Sequence, residues 1–445
     1  MGGLILKPNI ETKLDTLANA AKYDVCLSSC QSNGAGRGRV PDPLDPAHRW
    51  IFPAHMPGGG RISILKVLQT NHCKNRCSYC AFGIDHDNVR RMGFTSQELA
   101  DTFMQLVYRR LVHGLFLSSG VCNNPASTME RMVRTADILR TKYKFKGYIH
   151  LKILPGAPFN LVEKATELAT RISVNIEAPS KAHLSRIAPD KQFASDLMTR
   201  MKWAGDLIKN KKGAFSQTTQ FVVGASDESD LVILRATDWI YREMFVYRAY
   251  YSAWQQVREG QKAGLERSSL LREHRLYQSD FLMRGYGFRF PDLVFDQNGE
   301  IPRDVDPKTA YAMLHPELFP VDINKADEYL LLRVPGIGPV SARRIVESRS
   351  KDPFRSIEEL KGVGASAKKA APYVEFSGKG ISQLRLFETP PPSDWHTGLK
   401  PAGKADLENR QLPASSVEPK YDYPAQKGRR LYYSGFKTRD PILCR

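Results

Sequence analysis

Three cysteines stand in the stretch Thr70-Asn-His-Cys73-Lys-Asn-Arg-Cys77-Ser-Tyr-Cys80-Ala-Phe82, with three and then two residues between them. This CxxxCxxC pattern predicts a metal site. Three thiolates can hold three irons of a [4Fe–4S] cluster, because soft sulfur ligands suit iron–sulfur clusters. The fourth iron then stays open to another ligand, which favours a site of chemistry over a site of simple electron transfer.

Two other interpretations of these cysteines are open from the sequence. One is a zinc site with His72 as the fourth ligand, although a closed structural zinc site is usually built from two CxxC-type pairs and no second pair lies nearby. The other is a set of buried cysteines without a metal. The remaining cysteines of the chain are expected to be structural thiols or, alternatively, ligands of a second cluster: Cys26, Cys30, Cys122 and Cys444.

The cysteine pattern, with the aromatic Tyr79 directly before its last member, resembles the signature of the radical S-adenosylmethionine superfamily. The resemblance implies that Cys73, Cys77 and Cys80 hold a [4Fe–4S] cluster and that Tyr79 belongs to the cofactor site. It also implies that S-adenosylmethionine binds the open iron through its amino and carboxylate groups. One-electron reduction then releases a 5′-deoxyadenosyl radical, so an electron donor such as flavodoxin or ferredoxin is an expected partner.

The composition favours a basic protein that buries a core. The 445 residues include 65 Lys and Arg against 47 Asp and Glu, a formal net charge of +18. This charge favours polyanionic partners, although a basic protein whose charge serves no partner has the same composition. No apolar run reaches the length of a membrane span, and we expect no secretory signal in Met1-Gly-Gly-Leu-Ile-Leu-Lys7. The odd count of seven cysteines and the cluster fit a reducing compartment, which predicts a cytoplasmic protein.

Strand and helix patterns alternate from about residue 61, which predicts βα units and a parallel sheet. We expect six strands, at residues 62–68, 114–117, 147–153, 171–176, 217–223 and 245–251. Six units instead of eight predict an α/β fold with an open, partial (β/α)6 barrel over residues 61–300. A helical and loop extension over residues 1–60 precedes it.

In such barrels, active residues lie at the carboxyl ends of the strands. Ser119 and Gly120 follow the second strand, where the superfamily places small residues against the methionyl group. Asn175 and Glu177 share one face of the fourth strand and are placed to meet ribose hydroxyls. Val222 ends the fifth strand in a segment that resembles the adenine side of the family's site. For each set, the alternative is a residue that only packs the mouth of the barrel.

Two further polar residues share the inward face of the third strand. These are His150 and Lys152, two positions apart in Ile149-His-Leu-Lys-Ile153. The sequence predicts that Lys152 meets a carboxylate of the cofactor or of the substrate.

The periodicity changes near residue 323, where the sequence resembles a helix-hairpin-helix DNA-binding motif. One helix is expected to end at Val334, and Pro339 opens the next helix after a glycine-rich turn. Glycines let the backbone approach a ligand, and free N–H groups at the start of a helix can hold a phosphate. The expected DNA contacts are Gly336, Gly338, Ser341, Arg343 and Arg344. A less complete copy follows with Gly362-Val-Gly364 and Lys368-Lys369, and the domain spans residues 320–376.

Tandem hairpins with basic residues favour binding to the DNA backbone without reading of its sequence. An assembly module that binds protein is the alternative. Residues 377–445 have the composition of a largely disordered basic tail, and residues 32–43 predict a flexible loop.

The order of barrel and hairpins resembles the radical S-adenosylmethionine proteins assigned to DNA modification or repair, over roughly residues 10–375. The resemblance implies an enzyme that grips DNA by its phosphates and attacks a base or a sugar carbon. One alternative is a non-catalytic iron–sulfur protein that binds DNA or serves as a scaffold. The other is a radical enzyme that acts on RNA or on a small molecule.

Overall fold

The computed structural model describes residues 8–21, 50–55, 61–86, 89–210, 216–256, 270–376, 379–380 and 399–401. Three of the sequence predictions lie outside these residues. They are the loop at residues 32–43, the cysteines Cys26, Cys30 and Cys444, and almost all of the tail after residue 376.

A curved sheet of seven strands forms the larger part of the fold. Its strands, in spatial as in chain order, are β1 (Ile51–His55), β2 (Arg61–Leu68), β3 (Gly114–Ser118), β4 (Tyr148–Lys152), β5 (Arg171–Ser173), β6 (Ser216–Val223) and β7 (Val246–Ala253). Strands β2 to β7 pair in parallel, which confirms the six predicted strands and the partial barrel. The antiparallel β1 is not predicted, because Pro53 interrupts its pattern, and an edge strand is where proline is tolerated.

Eight helices lie before, between and after the strands of this sheet in the described part of the chain. They are α1 (Pro8–Ala21), α2 (Ser96–Tyr108), α3 (Pro125–Thr141), α4 (Phe159–Leu168), α5 (Lys181–Ile187), α6 (Thr199–Asn210), α7 (Asp230–Glu243) and α8 (Leu270–Gly285), of which α1 precedes and α8 follows the sheet. Local sequence sets their ends, since Thr95 and Glu98 form a capping box on α2 and Asn124 caps α3. Pro189, which lacks a backbone N–H, lies between the end of α5 and a π-helix at Phe193–Met198.

Side chains of α8 cover the free edge of the sheet at β7. The Tyr251 N–H donates to the Tyr277 hydroxyl at 2.9 Å, and the Ala253 N–H donates to the Glu273 carboxylate at 2.8 Å. These contacts satisfy donors that an edge strand would otherwise present to other chains. The open side of the barrel is therefore closed by α8.

The remaining elements follow the barrel. They are β8 (Val294–Phe295), α9 (Pro307–Leu314), β9 (Val321–Asp322), α10 (Glu328–Leu331), α11 (Pro339–Arg349), α12 (Glu359–Gly362), α13 (Ala367–Ala370), β10 (Val374–Phe376), β11 (Lys379–Gly380) and β12 (Lys400–Pro401). Helix α9 packs with the core of the barrel, and the elements after it surround a second core. That core buries five apolar residues of the first hairpin: Leu331, Val334, Ile337, Ala342 and Ile345.

Helix α11 begins at Pro339 as predicted, whereas α10 ends at Leu331, earlier than the predicted Val334. Within the described part of the chain, no helix combines the length and the apolar character that crossing a membrane requires.

Candidate active site at the mouth of the barrel

A cavity of about 670 Å³ opens at the carboxyl ends of the parallel strands. Small-molecule sites commonly have volumes of roughly 300–1,000 Å³. The cavity is lined by the three cysteines and by every residue that the sequence assigns to the cofactor: Cys73, Cys77, Cys80, Tyr79, Ser119, Gly120, Asn175, Glu177 and Val222. The structure therefore brings these separate segments together at the end of the barrel where active sites lie.

The loop that carries the cysteines is held against the segment after α5. The Arg76 guanidinium pairs with the Asp190 carboxylate at 2.6 Å, and the Arg76 N–H donates to the same carboxylate at 2.7 Å. The Ser78 N–H donates to the Ile187 carbonyl at 2.8 Å. These contacts fix the loop without using the thiols, which stay available as ligands.

Arg91 ties down the end of the same loop. Its guanidinium donates to the carbonyls of Asn71, Phe82, Gly83 and His86 at 2.7, 2.7, 2.6 and 3.2 Å. One side chain thus satisfies four acceptors of irregular backbone, which would be costly to leave unpaired. No sequence pattern marks this arginine.

The three thiols fit an iron–sulfur cluster. Burial raises the pKa of the Cys77 thiol and raises that of Cys80 to about 12. Such thiols resist ionisation by themselves, whereas bound iron supplies the positive charge that stabilises thiolates. Among the described side chains, no group of three or more His, Cys, Asp and Glu is arranged to hold a single metal ion.

His72 is separated from the other members of the proposed zinc site. It lines a second cavity of about 580 Å³, beside Cys122, and does not line the cavity of the three cysteines. The zinc interpretation therefore loses its fourth ligand. Cys122 is a free thiol, and its alternative role in a second cluster stays a prediction, because its possible partners lie outside the described residues.

Gly120 allows two backbone segments to meet at the rim of the cavity. A Cβ at this position would lie 2.4 Å from the His72 carbonyl oxygen and 3.1 Å from the Cys73 Cβ. The Gly120 N–H donates to the Thr70 carbonyl at 2.8 Å. A glycine is therefore required for contact with the cysteine loop, in addition to the predicted approach of a ligand.

A buried lysine, Lys191, was not predicted as part of the site. Its Nζ donates to the Tyr79 hydroxyl at 2.7 Å and to the Glu177 carboxylate at 3.2 Å. The Lys191 and Glu177 side chains are each 8% exposed. Burial alone would lower the pKa of Lys191, but the charges of Cys77 and Glu177 outweigh burial and raise it. Lys191 is therefore a protonated donor between two predicted cofactor residues.

Glu177 adopts a backbone conformation that is rare for residues other than glycine. Its φ of 64° lies in the left-handed region, which costs roughly 1–3 kcal/mol and persists where surrounding structure enforces it. The Glu177 N–H donates to the Gln220 carbonyl at 2.9 Å, and the Val222 N–H donates to the Glu177 carbonyl at 2.8 Å. These bonds couple the two predicted cofactor segments at Glu177 and Val222.

The predicted DNA contacts divide into exposed and packed residues. Arg343 and Arg344 are exposed, whereas Ser341 is buried. A Cβ on Gly336 would lie 2.6 Å from the Ser366 carbonyl oxygen, so this glycine packs against the second hairpin. Gly338 is half-buried, and a Cβ there would lie 3.3 Å from the Tyr286 hydroxyl (Gly338 directly precedes α11).

Residues 67–237 match the Radical SAM superfamily, and residues 319–370 match the helix-hairpin-helix motif. The chain contains a radical SAM domain. The match to this domain covers the cysteine loop, the strands from β3 to β6 and the cavity residues from Cys73 to Val222. No curated protein matches the chain.

Several solved structures are similar to part of the chain. The FeFe-hydrogenase maturase HydG from Carboxydothermus hydrogenoformans has 13% identity and a TM-score of 0.40, over 48% of this chain and 50% of that one. Methylornithine synthase (PylB) has 14% identity and a TM-score of 0.39, over 47% and 59%. The AdoMet-bound anSMEcpe has 14% identity and a TM-score of 0.37, over 49% and 60%. The similarity thus spans 50–60% of the length of these proteins.

The cofactors of the radical SAM domain are a [4Fe–4S] cluster and S-adenosylmethionine. When both are bound, reductive cleavage of S-adenosylmethionine would supply a 5′-deoxyadenosyl radical at this cavity. The apolar Val222, Ala253 and Trp254 form part of the cavity wall.

Proposed function

We propose that this radical SAM enzyme acts on DNA. In this proposal the catalytic unit spans residues 61–300, after the extension at residues 1–60, and the unit at residues 320–376 holds the phosphates of duplex or damaged DNA. The reaction is the modification of a base or the repair of a lesion. The observation that carries the proposal is the attachment of the helix-hairpin-helix motif to the barrel.

Arg333 of the hairpin unit is the main anchor. It is 1% exposed, and its guanidinium donates to the carbonyls of Tyr286 and Gly287, both at 2.9 Å. The guanidinium also lies 4.1 Å from the Phe288 ring centroid and 3.9 Å from that of Tyr329, in cation–π contact. A buried arginine with these partners resists separation of the two units, so DNA on the hairpins would stand at a fixed place beside the barrel.

Both hairpins also contact the region of α9. The first hairpin contacts Lys308 of this helix, and the second contacts Asp306, the residue that caps it. The buried Lys308 donates to the carbonyl of Ile337, in the first hairpin, at 2.5 Å, and burial lowers the pKa of this lysine to about 7. Lys369, beside the second hairpin, pairs with Asp306 at 2.9 Å. These contacts join the helix-hairpin-helix unit to the unit that carries the cofactor cavity. This connection supports the proposal that the enzyme acts on DNA.

The exposed face of α11 offers the contacts that a phosphate backbone requires. Arg343 and Arg344 stand on it, and Val340 is exposed at its start. The N–H groups in this first turn lie at the positive end of the helix. The net charge of +18 supports a polyanionic partner.

The same proposal assigns roles around the cavity. Cys73, Cys77 and Cys80 hold the cluster. The other cofactor residues contact S-adenosylmethionine, with Ser119 and Gly120 at the methionyl group, Asn175 and Glu177 at the ribose, and Tyr79 and Val222 near the adenine. Their position on one cavity wall supports these roles.

An electron donor such as flavodoxin or ferredoxin, and a reducing compartment such as the cytoplasm, belong to the proposal. All cysteines in the described part of the chain are free thiols, which supports a reducing compartment.

Lys191→Met is expected to weaken the binding of S-adenosylmethionine by about tenfold or more, because it removes a charged hydrogen bond to Glu177 and leaves that carboxylate unpaired. Equilibrium titration of the cluster-loaded protein measures this affinity. Lys191→Arg should restore part of it. The exposed Lys181→Met on α5 is the matched control. Equal affinities for Lys191→Met and Lys181→Met would remove Lys191 from the cofactor site.

Arg343→Ala combined with Arg344→Ala is expected to weaken DNA binding and to lower its salt dependence. Each phosphate contact that is lost reduces the slope of log K against log salt by about one. Fluorescence anisotropy of a labelled duplex, repeated at several salt concentrations, measures both quantities. Replacement of Gly336 is a poorer test, because it disturbs the packing of the second hairpin.

A second arginine pair provides the control. Arg109 and Arg110 are exposed and adjacent, and they follow α2, at the end of the barrel opposite to the cavity. Their double alanine variant should bind DNA with the wild-type slope. If both double variants behave alike, the exposed face of α11 is not a DNA surface, and the hairpins are an assembly module.

The substrate class is tested with the reduced, cluster-loaded enzyme under anaerobic conditions. We expect duplex or single-stranded DNA, and not transfer RNA, to increase the formation of 5′-deoxyadenosine and to gain or lose a modified nucleoside by mass analysis. A response to transfer RNA alone would make RNA the substrate. If no 5′-deoxyadenosine is formed under any condition, the non-catalytic alternative holds.

A further inference from the structure

The second cavity, beside the cysteine loop, is lined by basic side chains. This basic cavity of about 580 Å³ is formed by His72, by the start of α2 and by Arg131 and Arg134 of α3. Among the described residues that line it, none is an aspartate or a glutamate. The residues assigned to the cluster and to S-adenosylmethionine all line the other cavity, so the proposed function gives the basic cavity no role.

The two arginines of this cavity have no counter-charge in the described part of the chain. Arg134 is exposed and Arg131 is half-buried, and neither guanidinium forms a hydrogen bond or an ion pair with a described residue. The bonds at Arg131 use its carbonyl, which accepts the Ser96 hydroxyl at 2.8 Å and the Thr135 hydroxyl at 3.0 Å. Both guanidinium groups are therefore available to a ligand.

The neighbouring acidic residues are engaged elsewhere or point away. Glu98 pairs with Lys13 at 3.0 Å, and Asp101 accepts the Tyr143 hydroxyl. Glu130 precedes Arg134 by one turn of α3 and does not line the cavity. The capping box of α2 engages N–H groups at the start of that helix, so the positive charge of the cavity comes from the arginines and not from the helix end.

Hydrogen bonds between distant segments hold the cavity in shape. Gln69, at the end of β2, donates its side-chain N–H to the Phe94 carbonyl at 2.8 Å and accepts the Thr135 hydroxyl at 2.8 Å. The bond from Ser96 to Arg131 joins the starts of α2 and α3. The two arginines thus stand on a helix whose position is fixed before any ligand binds, which lowers the entropy cost of binding.

A single wall separates the basic cavity from the cofactor cavity. His72 lines the basic cavity, and the next residue, Cys73, lines the cofactor cavity. In the same way, Val121 lines the cofactor cavity and Cys122 lines the basic one. The two segments of this wall are bonded, since the Lys74 N–H donates to the Val121 carbonyl at 2.9 Å. One strand of nucleic acid can therefore reach both cavities.

We propose that Arg131 and Arg134 bind a phosphate of the nucleic acid strand whose reacting nucleotide enters the cofactor cavity. This inference rests on the proposed action on nucleic acid and adds a contact on the catalytic unit to those of the hairpins. Guanidinium groups match phosphate oxygens with paired, charge-assisted hydrogen bonds. An enzyme that acts on a base takes the nucleotide out of the stack, and a phosphate held beside the cavity keeps the strand in that position.

The test uses the full chain, loaded with cluster and S-adenosylmethionine, in equilibrium titrations with a thymidine tetranucleotide. Further probes carry a neutral methylphosphonate in place of each phosphodiester in turn. We expect the replacement at one position to weaken binding by about tenfold or more, because hydrogen bonds to a charged group are lost there. A uridine ribotetranucleotide, measured beside them, distinguishes a DNA strand from an RNA strand.

Variants assign the recognised phosphate to the basic cavity. Arg131→Ala combined with Arg134→Ala should weaken the native tetranucleotide by about tenfold or more, and the methylphosphonate should then cause no further loss. Arg109→Ala combined with Arg110→Ala removes the same charge at the opposite end of the barrel and should bind as the wild type does. Cluster content and the affinity for S-adenosylmethionine should be unchanged in both. If the first double variant loses its cluster, Arg134→Met, which alters one exposed side chain, makes the same comparison.

Three results would overturn the inference. One is equal binding of the native tetranucleotide by both double variants, and another is an equal loss at every methylphosphonate position. The third is slower reduction of the cluster by flavodoxin in the variant of Arg131 and Arg134, with unchanged tetranucleotide binding, because these arginines would then serve the electron donor.

The outcome is separable from that of the proposed function. Duplex binding by the hairpins is measured with the variants of Arg343 and Arg344, and the basic cavity is measured with tetranucleotides and the variants of Arg131 and Arg134. If only the ribotetranucleotide depends on Arg131 and Arg134, the phosphate site stands and the DNA assignment falls. If the hairpins bind duplex and neither tetranucleotide depends on these arginines, the inference falls alone.

Discussion

Cys73→Ala, Cys77→Ala and Cys80→Ala should each leave the reconstituted protein nearly without iron. Wild-type protein is expected to hold about four irons per chain in one [4Fe–4S] cluster. Each variant removes one of the three thiols that line the cavity, and the described residues offer no substitute, because His72 faces a different cavity. Iron and sulfide analysis and the visible absorption of the cluster measure the loss. Cleavage of S-adenosylmethionine should fall below detection.

Cys122→Ala is the matched control for these variants. Cys122 is a free thiol outside the cavity, so its removal should leave iron content and absorption unchanged. The circular dichroism of all four variants should match the wild type, because the loop is held by Arg76 and Arg91 and not by the cysteines. If a variant of Cys73, Cys77 or Cys80 retains full iron content, the cluster is held elsewhere.

Patterns of local sequence were sufficient to predict the barrel and the wall of its cavity. The six parallel strands are short apolar runs between helical patterns, and residues just after such strands meet at one edge of the sheet. This rule, together with the resemblance to the radical S-adenosylmethionine superfamily, selected Cys73, Ser119, Asn175 and Val222, and all four line one cavity. Strand β1 was not predicted, because it contains Pro53 and proline is tolerated only at the edge of a sheet.

Contacts between distant segments were beyond prediction. Lys191 stands in no recognisable motif, and only the fold brings it to Tyr79 and Glu177. The same is true of Arg333, whose role depends on carbonyls of the residues after α8. Gly336 fits the hairpin motif in sequence, yet its close neighbour is Ser366. A motif therefore identified the type of unit, and the partners of its residues came from tertiary packing.

A buried ion network closes the open side of the barrel and shapes the rim of the cofactor cavity. Arg272 of α8 is 1% exposed and donates to the Asp230 carboxylate at 2.7 Å and to the Glu228 carbonyl at 2.8 Å. The Glu228 carboxylate accepts the N–H groups of Gly224 and Ser226, which follow Val222. Burial by itself lowers the pKa of Arg272, and the charge of Asp230 outweighs burial and raises it. The network thus links the last helix of the barrel to the predicted adenine side of the site.

Arg272→Met is expected to destabilise the protein by about 3–5 kcal/mol, because it removes the buried cation of the network and leaves the Asp230 carboxylate with the more exposed Arg303 as its one remaining cation among the described residues. For a unit of this size, that change lowers the melting temperature by roughly 10 °C. Arg272→Lys keeps the positive charge but lacks the planar guanidinium group. Its stability should therefore lie between that of the wild type and that of Arg272→Met. Denaturant unfolding and thermal melting measure the loss, and a weaker affinity for S-adenosylmethionine should accompany it at temperatures where the variant is still folded.

Lys202→Met provides the comparison for this network. Lys202 and Asp206 form an exposed pair at 3.5 Å on α6, and such surface pairs contribute about 0–1 kcal/mol. Arg272→Met and Lys202→Met each remove one positive charge, but Arg272 is buried and Lys202 is exposed. Arg272→Met should therefore unfold at a clearly lower denaturant concentration than Lys202→Met. Equal midpoints would mean that Arg303 and the backbone N–H groups are sufficient partners for the carboxylates of Asp230 and Glu228, and that α8 is held to the barrel by its apolar face and its contacts with β7.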